Sequence, residues 1–408
     1  AIPFTLRRSP IARKDERNIR FDYTALMGRR CGGAALLLLL LALLLVPTEV
    51  FAGGGQEDVI RIGFVGTLTG RFSDLGVAAR DGARLAVSDW NRRGGVRGTP
   101  VELLVADDEA DVAVGTRAAE ALLERGVRLL VGHMFSIMVP TVETMLRDHD
   151  LLYVSPTMTT PQLSGRDDRF FRVISDSQAH VDAVLSAFPE DTAGSPVVVL
   201  LDTSNEAYTE PAARRAVAIL GDRAVRLSFN SRTNNSYLRL AEQTMELDPA
   251  VVLCVCAGRD AAVYAQQLSK LDYGGRLLGV LWTFDDSLIE LGGLSVEGMI
   301  VPGPYLPPHP AERYREFYRA FEARYGVPPE FTARLAYEAV FVLLTAVEAA
   351  ESPEPGAVKS ALLDIQDFDI FSDPVVFDRY GDAIRRISLY RVEDGEFVNI
   401  GQYRPGAP

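Results

Sequence analysis

The sequence predicts an α/β protein built from two Rossmann-like lobes, each a parallel sheet covered by helices. From Val59 onward, short runs of β-branched residues alternate with stretches of helical periodicity, a pattern typical of such sheets. The chain has 408 residues, 48% of them apolar. Because one hydrophobic core stops growing at roughly 250–300 residues, two lobes with separate cores are expected.

The first fifty residues have the features of a targeting segment. Residues 34–46 are an uninterrupted run of Ala, Leu and Val, shorter than the ~20 residues needed to cross a bilayer as a helix. Two arginines precede the run, and Val50-Phe51-Ala52 supplies small residues at the −3 and −1 positions of a cleavage site. We expect a signal peptide over residues 27–52, cleavage after Ala52, and a periplasmic or secreted mature protein.

Two further expectations concern this leader. Residues 1–26 are charged and patternless and precede Met27, which favours an over-extended gene start. A lipid anchor would need a cysteine directly after the apolar run, but Cys31 comes before it. A lipoprotein is therefore the less favoured alternative.

The mature chain is strongly acidic. Removing residues 1–52 takes away eight basic and four acidic side chains and leaves a net charge of −17, which argues against nucleic acid and anionic membranes as partners. Cys254 and Cys256 remain at i and i+2 of a predicted strand. Side chains so placed share one face in a geometry that rarely allows a disulfide, so buried free thiols are favoured over a bridge.

The predicted elements form two βα series. The first series has strands at 59–65, 101–106, 127–131 and 151–154, and the second has strands at 196–201, 224–229, 251–256, 277–282 and 298–301. The proline-rich stretch Val301–Pro310 is predicted to be an irregular connection between lobes, since proline removes a donor and fixes φ. Helices at 311–325 and 331–351 and closing strands near 375–378 and 387–392 follow.

An ordered set of motifs resembles one known family. Gly132-His133-Met134-Phe135-Ser136 and Ser155-Pro156-Thr157-Met158-Thr159 are similar to the two ligand-gripping loops of the type I periplasmic binding proteins of ABC importers, the branched-chain amino acid receptors. Ile62–Gly70 resembles the first strand and substrate loop of that family, and Tyr325–Pro329 and Phe377–Asp382 complete the order. The resemblance extends from Ile62 to about Ile400.

The resemblance implies two lobes joined by a three-stranded hinge. Lobe 1 is expected to comprise residues 57–177 and 304–386, and lobe 2 residues 178–303 and 387–408. It also implies a receptor without a cofactor, which closes over a small amino acid-like molecule and is recognised by a permease in the membrane. We expect a monomer, because one cleft between two lobes needs no second subunit. A signalling protein of the same fold and an α/β hydrolase or transferase are the alternatives.

Hydroxyl side chains are expected to hold a carboxylate in the cleft. Ligands of open parallel sheets bind beyond the carboxyl ends of the strands, where helix N-termini favour anions. The resemblance assigns this role to Ser136, to the backbone of Thr157 and to Thr159. Helix capping is the alternative use of these hydroxyls.

The remaining predicted site residues also come from the resemblance. Asp176 is expected to face an α-ammonium group, with Asp285 and Asp286 as rivals, although each could be a surface aspartate at a turn. Tyr208 is expected to close over the ligand, and Leu75 and Trp282 to border it. Leu75 stands where the family has an aromatic, and Ala257 where it has a tyrosine, so another amino acid, an amide or a small carboxylate remain open as ligands.

Sequence patterns of known catalytic sites are missing. The four histidines have no metal-binding spacing, and the chain has no phosphate-binding loop, G-x-G-x-x-G or G-x-S-x-G sequence. His133 follows a strand and is predicted to be structural. Asp107–Asp111 lacks the spacing of a calcium loop and is predicted to be a solvated strand end. We therefore expect a binding protein and not an enzyme.

Overall fold

The computed structural model describes residues 59–187, 194–233, 236–304, 311–365, 367–371 and 373–405. The predicted signal peptide and its cleavage site lie outside the described residues, as do residues 305–310 of the proline-rich stretch.

Twelve strands of the described chain form two sheets, and the predicted two-lobed α/β fold is confirmed. The first sheet is parallel, with the order β2-β1-β3-β4-β5. Its strands are β1 (Ile60–Gly66), β2 (Val101–Asp107), β3 (Leu129–Gly132), β4 (Leu152–Ser155) and β5 (Phe170–Arg172). β3 and β4 are buried along their whole length, as expected for strands covered on both faces.

The second sheet has seven strands in the order β12-β11-β10-β9-β8-β6-β7. Its strands are β6 (Val197–Asp202), β7 (Ala224–Phe229), β8 (Val251–Val255), β9 (Arg276–Gly279), β10 (Ile300–Pro304), β11 (Ile387–Glu393) and β12 (Glu396–Tyr403). β6 to β10 run parallel, whereas β11 is antiparallel to both β10 and β12.

Helices cover both sheets. In chain order the described α-helices are α1 (Ser73–Arg92), α2 (Val112–Glu124), α3 (Val139–Asp148), α4 (Ser177–Ser186), α5 (Glu206–Leu220), α6 (Tyr237–Leu247), α7 (Gly258–Lys270), α8 (Asp286–Gly292), α9 (Glu312–Tyr325), α10 (Phe331–Ala349) and α11 (Pro355–Asp364). α10 is the most apolar of the long helices, and it is buried on nearly all sides. None of the described helices is long and apolar enough to cross a membrane.

Two local predictions are wrong. Pro302 and Pro304 belong to β10, although the stretch from Val301 was expected to be irregular. β10 pairs with β9 only at Ile300, so proline, which cannot donate to a ladder, is tolerated beyond that point. The predicted strand at 375–378 is not regular either, because only isolated bridges form there, at Val375 and Phe377.

The helix α10 packs against α1 of the first lobe. A Cβ atom at Gly82 would lie 2.0 Å from the carbonyl oxygen of Ala333, so the close approach of the two helices requires glycine. The hydroxyl of Tyr337 also donates to Asp89 Oδ2 at 2.8 Å. The chain therefore returns to the first lobe after β10, and the residue limits of the lobes stay a prediction.

A buried ion-pair network fixes α10 to the segment that leads into β11. Arg385 Nη1 lies 2.6 Å from Glu338 Oε2, and Arg385 Nη2 lies 2.8 Å from Asp373 Oδ2. Arg385 also donates to the carbonyl oxygen of Val173 at 3.0 Å, directly after β5. Burial alone would raise the pKa of Glu338, but the charges of Arg385 and Arg334 outweigh it and lower that pKa. The network therefore joins three chain segments beside the connections between the lobes.

Replacing Glu338 by glutamine should destabilise the protein strongly. Glu338→Gln leaves Arg334 and Arg385 buried without their shared counter-charge, and loss of one partner of a buried pair costs about 3–5 kcal/mol. Urea unfolding followed by circular dichroism measures the free energy of unfolding. Glu348→Gln, an exposed position on the same helix, should leave it within about 0.5 kcal/mol of the parent. Equal stability of the two variants would contradict a structural role for the network.

Candidate functional site

The order of the strands creates a crevice at the carboxyl edge of each sheet. In the first sheet β1 lies between β2 and β3, so the connections after β1 and β3 leave toward opposite sides. In the second sheet β6 lies between β7 and β8, with the same consequence. Loops that follow β1, β3, β6 and β8 are therefore the expected places for ligand contacts.

A cavity between the two lobes is lined by loops from both sheets. It contains about 420 Å³ of space free of protein atoms, part of which is open to solvent. Its lining residues are Leu75, Met134, Phe135, Ser136, Thr157, Thr159, Asn205, Tyr208, Leu281, Trp282, Phe331 and Thr332. Six of the eight residues predicted from the sequence are in this set. That any of them contacts a ligand stays a prediction.

Two hydroxyl groups of the first lobe lie in the cavity without a protein partner. Ser136 begins a short 3₁₀ turn that runs directly into α3, and its side chain caps neither helix. Thr159 lies in the loop after β4 and is 1% exposed. Neither hydroxyl forms a hydrogen bond with any residue that the structure describes, whereas Thr157 Oγ1 donates to the carbonyl oxygen of Met134 at 2.7 Å. The capping alternative therefore does not apply to Ser136 and Thr159.

A buried Asp–His pair fixes the loop that presents Ser136. Asp108 Oδ2 lies 2.7 Å from His133 Nδ1, and Asp108 Oδ1 accepts from Thr67 Oγ1 at 2.7 Å. Burial raises the pKa of Asp108, but the hydrogen bond and charge of His133 more than offset this and lower it. Asp108 has no exposed surface, so the prediction of a solvated strand end is wrong for this residue. The pair joins the ends of β1, β2 and β3.

The second lobe contributes an aromatic wall. The ring of Trp282 packs edge-on against Tyr208, with centroids 5.8 Å apart, and against Phe135 of the first lobe at 6.1 Å. Phe72, in the loop after β1, packs on Trp282 at 5.4 Å. The backbone N–H of Trp282 donates to the hydroxyl of Tyr208 at 3.3 Å. The lobes therefore meet over the cavity through apolar ring surfaces.

Three more polar atoms of lining residues are buried without a partner in the structure. They are Trp282 Nε1, Asn205 Oδ1 and Thr332 Oγ1. Buried polar groups are almost always hydrogen-bonded in folded proteins, so these three atoms are available for hydrogen bonds with water or with a bound molecule. Thr332 and Phe331 come from the start of α10, far along the chain from the other loops, and no sequence motif pointed to them.

None of the three carboxylates predicted from the sequence, Asp176, Asp285 and Asp286, is among the described lining residues of the cavity. Asp176 caps α4, where its side chain accepts from the N–H of Ala179 at 2.9 Å. Asp285 caps α8 and accepts from the N–H groups of Ser287 at 2.8 Å and Gly258 at 3.1 Å. Both carboxylates satisfy helix N-termini, in which acceptors are needed. The sequence identified residues near the cleft but could not show the direction of their side chains.

Comparison with known proteins fits this two-lobed geometry. The sequence profile of the periplasmic binding protein family matches residues 59–396. The chain belongs to this family. Its relatives include a leucine-, isoleucine-, valine-, threonine- and alanine-binding protein of Pseudomonas aeruginosa, which is 24% identical over 80% of this chain and 87% of the relative.

Solved structures of periplasmic binding proteins share the fold. A leucine-binding protein of Thermotoga maritima aligns with a TM-score of 0.76 and 22% identity, over 85% of this chain and 99% of that chain. A solute-binding protein of an ABC transporter from R. palustris, in complex with benzoate, aligns with a TM-score of 0.73 and 18% identity, over 85% and 97%. At these identities the alignments show the fold and leave the ligand of this periplasmic binding protein open.

Metal-binding groups and reactive cysteines are the next features to consider in the described part of this periplasmic binding protein. No group of three or more His, Cys, Asp or Glu side chains there is placed to hold a metal ion. Cys254 and Cys256 are buried free thiols, as predicted.

An acidic crevice adjoins the cavity. Asp74 and Glu330 line it together with Asp285, Asp286 and Glu290 of the second lobe, and Arg71 and Arg259 are the basic residues in its lining. Burial raises the pKa of Glu330 to about 7, and the charges of Asp286, Asp74 and Asp285 add to this effect. Burial likewise raises the pKa of Asp285 to about 6. Several carboxyl groups from both lobes are therefore close to one another in this crevice.

The stability of the protein should fall as the pH rises through these two values. A carboxyl whose folded pKa is raised stabilises the fold fully below its ordinary pKa, and this contribution is lost as the pH passes the folded pKa of about 6 for Asp285 or about 7 for Glu330. Glu330→Gln should flatten the decline in melting temperature between about pH 5 and 8. Glu316→Gln, an exposed change on α9, should keep the parent profile. A Glu330→Gln profile identical to the parent's would contradict this electrostatic picture.

Proposed function

We propose that the protein is an exported solute receptor that captures a small molecule between its lobes and delivers it to the permease of an ABC importer. The observation that carries this proposal is the cavity between the carboxyl edges of two sheets, lined from both lobes by partnerless polar atoms and aromatic rings. We propose further that the receptor works as a monomer, since one cleft between two lobes needs no second subunit, and that no catalytic step follows binding.

Capture by hinge closure is supported by direct contacts between the lobes. Arg71 of the loop after β1 forms a salt bridge with the buried carboxylate of Asp260 on α7. Arg232 Nη2 donates to the carbonyl oxygen of Ala110 at 2.9 Å. Such contacts exist only while the lobes are together, and a ligand shifts the equilibrium toward the closed form by binding it more tightly than the open form. The permease would then recognise the closed receptor.

The ligand is an amino acid or a related amide or carboxylate. Relatives named for leucine and other apolar amino acids support a ligand of this size and class. The R. palustris protein has the same fold and holds benzoate, which lacks an amino group. A carboxylate is the group common to these molecules. In this chain, the start of the helix at Ser136 offers the unpaired N–H groups and partial positive charge that favour an anion.

A thermal-shift screen tests the receptor function. The purified protein is unfolded and refolded to remove any co-purified molecule, then heated with amino acids, amides, small carboxylates, sugars and purines. A receptor should be stabilised by one of these classes, and the rise in melting temperature should grow with ligand concentration, because a molecule that binds only the folded state stabilises it by RT ln(1 + [L]/Kd). Unchanged melting temperatures across the whole panel would contradict the proposal.

A further inference from the structure

Among the residues that the structure describes, the lining of the cavity contains no charged side chain. These described lining residues are all apolar, hydroxyl-bearing or amide-bearing. A free amino acid carries both a carboxylate and an ammonium group. Burying either charge without compensation costs several kcal/mol, so a site that takes an amino acid must provide for both groups.

The nearby carboxylates have other contacts. Asp176 and Asp285 accept backbone N–H groups at the starts of α4 and α8, and Glu330 lies in the lining of the adjoining crevice and not of the cavity. Among the lining residues within the described ranges, Asn205 is the one with an amide side chain, and it presents a neutral acceptor. An ammonium group has three donors and a full charge, and a single amide oxygen balances neither.

The first lobe has groups that can bind a carboxylate. The hydroxyls of Ser136 and Thr159 can both donate, and Ser136 stands at the start of the 3₁₀ turn that continues into the ten-residue helix α3. Hydrogen bonds to an ionised acceptor are stronger than neutral ones, and the helix N-terminus adds a favourable field. Ser136 is 2% exposed and Thr159 is 1% exposed, so water competes little for these donors.

The second lobe offers a surface for an apolar body. Trp282 and Tyr208 meet edge-on, and Leu281 lies beside them in the lining. Aromatic ligands gain both from burial of their area and from ring geometry of this kind. A molecule bridging the lobes would thus have its anionic end toward Ser136 and an uncharged end toward Trp282.

We propose that the ligand is an apolar monocarboxylate without an α-ammonium group, such as an aromatic acid. This inference rests on the proposed receptor function and narrows it to one chemical class. The observation on which it rests is the uncharged lining formed by the described residues of the cavity.

Two matched pairs of compounds test the inference by isothermal titration calorimetry on the refolded protein. 3-Phenylpropanoate differs from phenylalanine, and 4-methylpentanoate from leucine, only by the α-ammonium group. The acid of at least one pair should bind with a Kd at least tenfold below that of its amino acid. An amino acid that binds as tightly as its acid, or more tightly, would overturn the inference and leave the receptor function standing. So would binding of only another class in the thermal-shift panel, whereas no binding by any compound contradicts both.

Substitutions in the cavity locate the two ends of the ligand. Ser136→Ala and Thr159→Ala should each weaken binding of the preferred acid by about tenfold, while Ser360→Ala, an exposed hydroxyl on α11, should leave it unchanged. Asn205→Asp adds a negative charge with little change of shape. It should therefore weaken binding of the acid and reduce the ratio between the Kd of the matching amino acid and the Kd of the acid. Circular dichroism confirms that each variant is folded. Parent-like affinity and preference in folded Thr159→Ala and Asn205→Asp would overturn the assignment.

Discussion

The carboxyl ends of the parallel strands of two sheets meet at one cleft, and the rest of the site depends on this constraint. A strand that ends at such an edge leads into a loop and then into a helix N-terminus, so the cleft receives unpaired N–H groups and short polar side chains from both sides. Ser136 and Thr159 enter from the first sheet, and Asn205 and Tyr208 enter from the second. Contact of the lobes removes these groups from water. Because an unpaired buried donor or acceptor costs free energy, the cleft then favours a ligand that supplies the missing hydrogen-bond partners.

The charges of the protein are separated by location. Arg385, Glu338 and Asp373 form their network beside the connections between the lobes, where they hold α10 against the segment before β11. Carboxyl groups such as those of Asp74 and Glu330 line the crevice next to the cavity, where burial and neighbouring carboxylates raise the pKa of Glu330 to about 7. The described residues that line the cavity itself are uncharged. The salt bridge between the lobes, from Arg71 to Asp260, likewise involves none of the described residues that line the cavity.

The sequence predicted the sheets well because alternation of buried β-branched runs and amphipathic helices repeats along the chain. The sequence also predicted that Ser136, Thr159, Tyr208 and Trp282 lie at the cleft, because each of them follows a strand at a spacing that resembles that of the family. All four are in the lining of the cavity. The sequence missed Phe72 and Thr332, since their position depends on how a loop and a distant helix pack. It was wrong about Asp108, because composition suggests a solvated acidic stretch and only the fold shows His133 and Thr67 beside it. Helix capping by Asp176 and Asp285 likewise depends on the direction of their side chains, which cannot be predicted from the spacing of residues in the sequence.

The mass of the molecule that the protein carries when it is purified from its native source tests the central claim most directly. Native mass spectrometry would show the mass of the complex, and denaturation would release the bound molecule for accurate mass measurement. A one-to-one complex with an organic acid whose formula contains no nitrogen is the expected result, because the cavity provides for a carboxylate and not for an ammonium group. A bound amino acid would contradict this claim and return the ligand to the class of its named relatives.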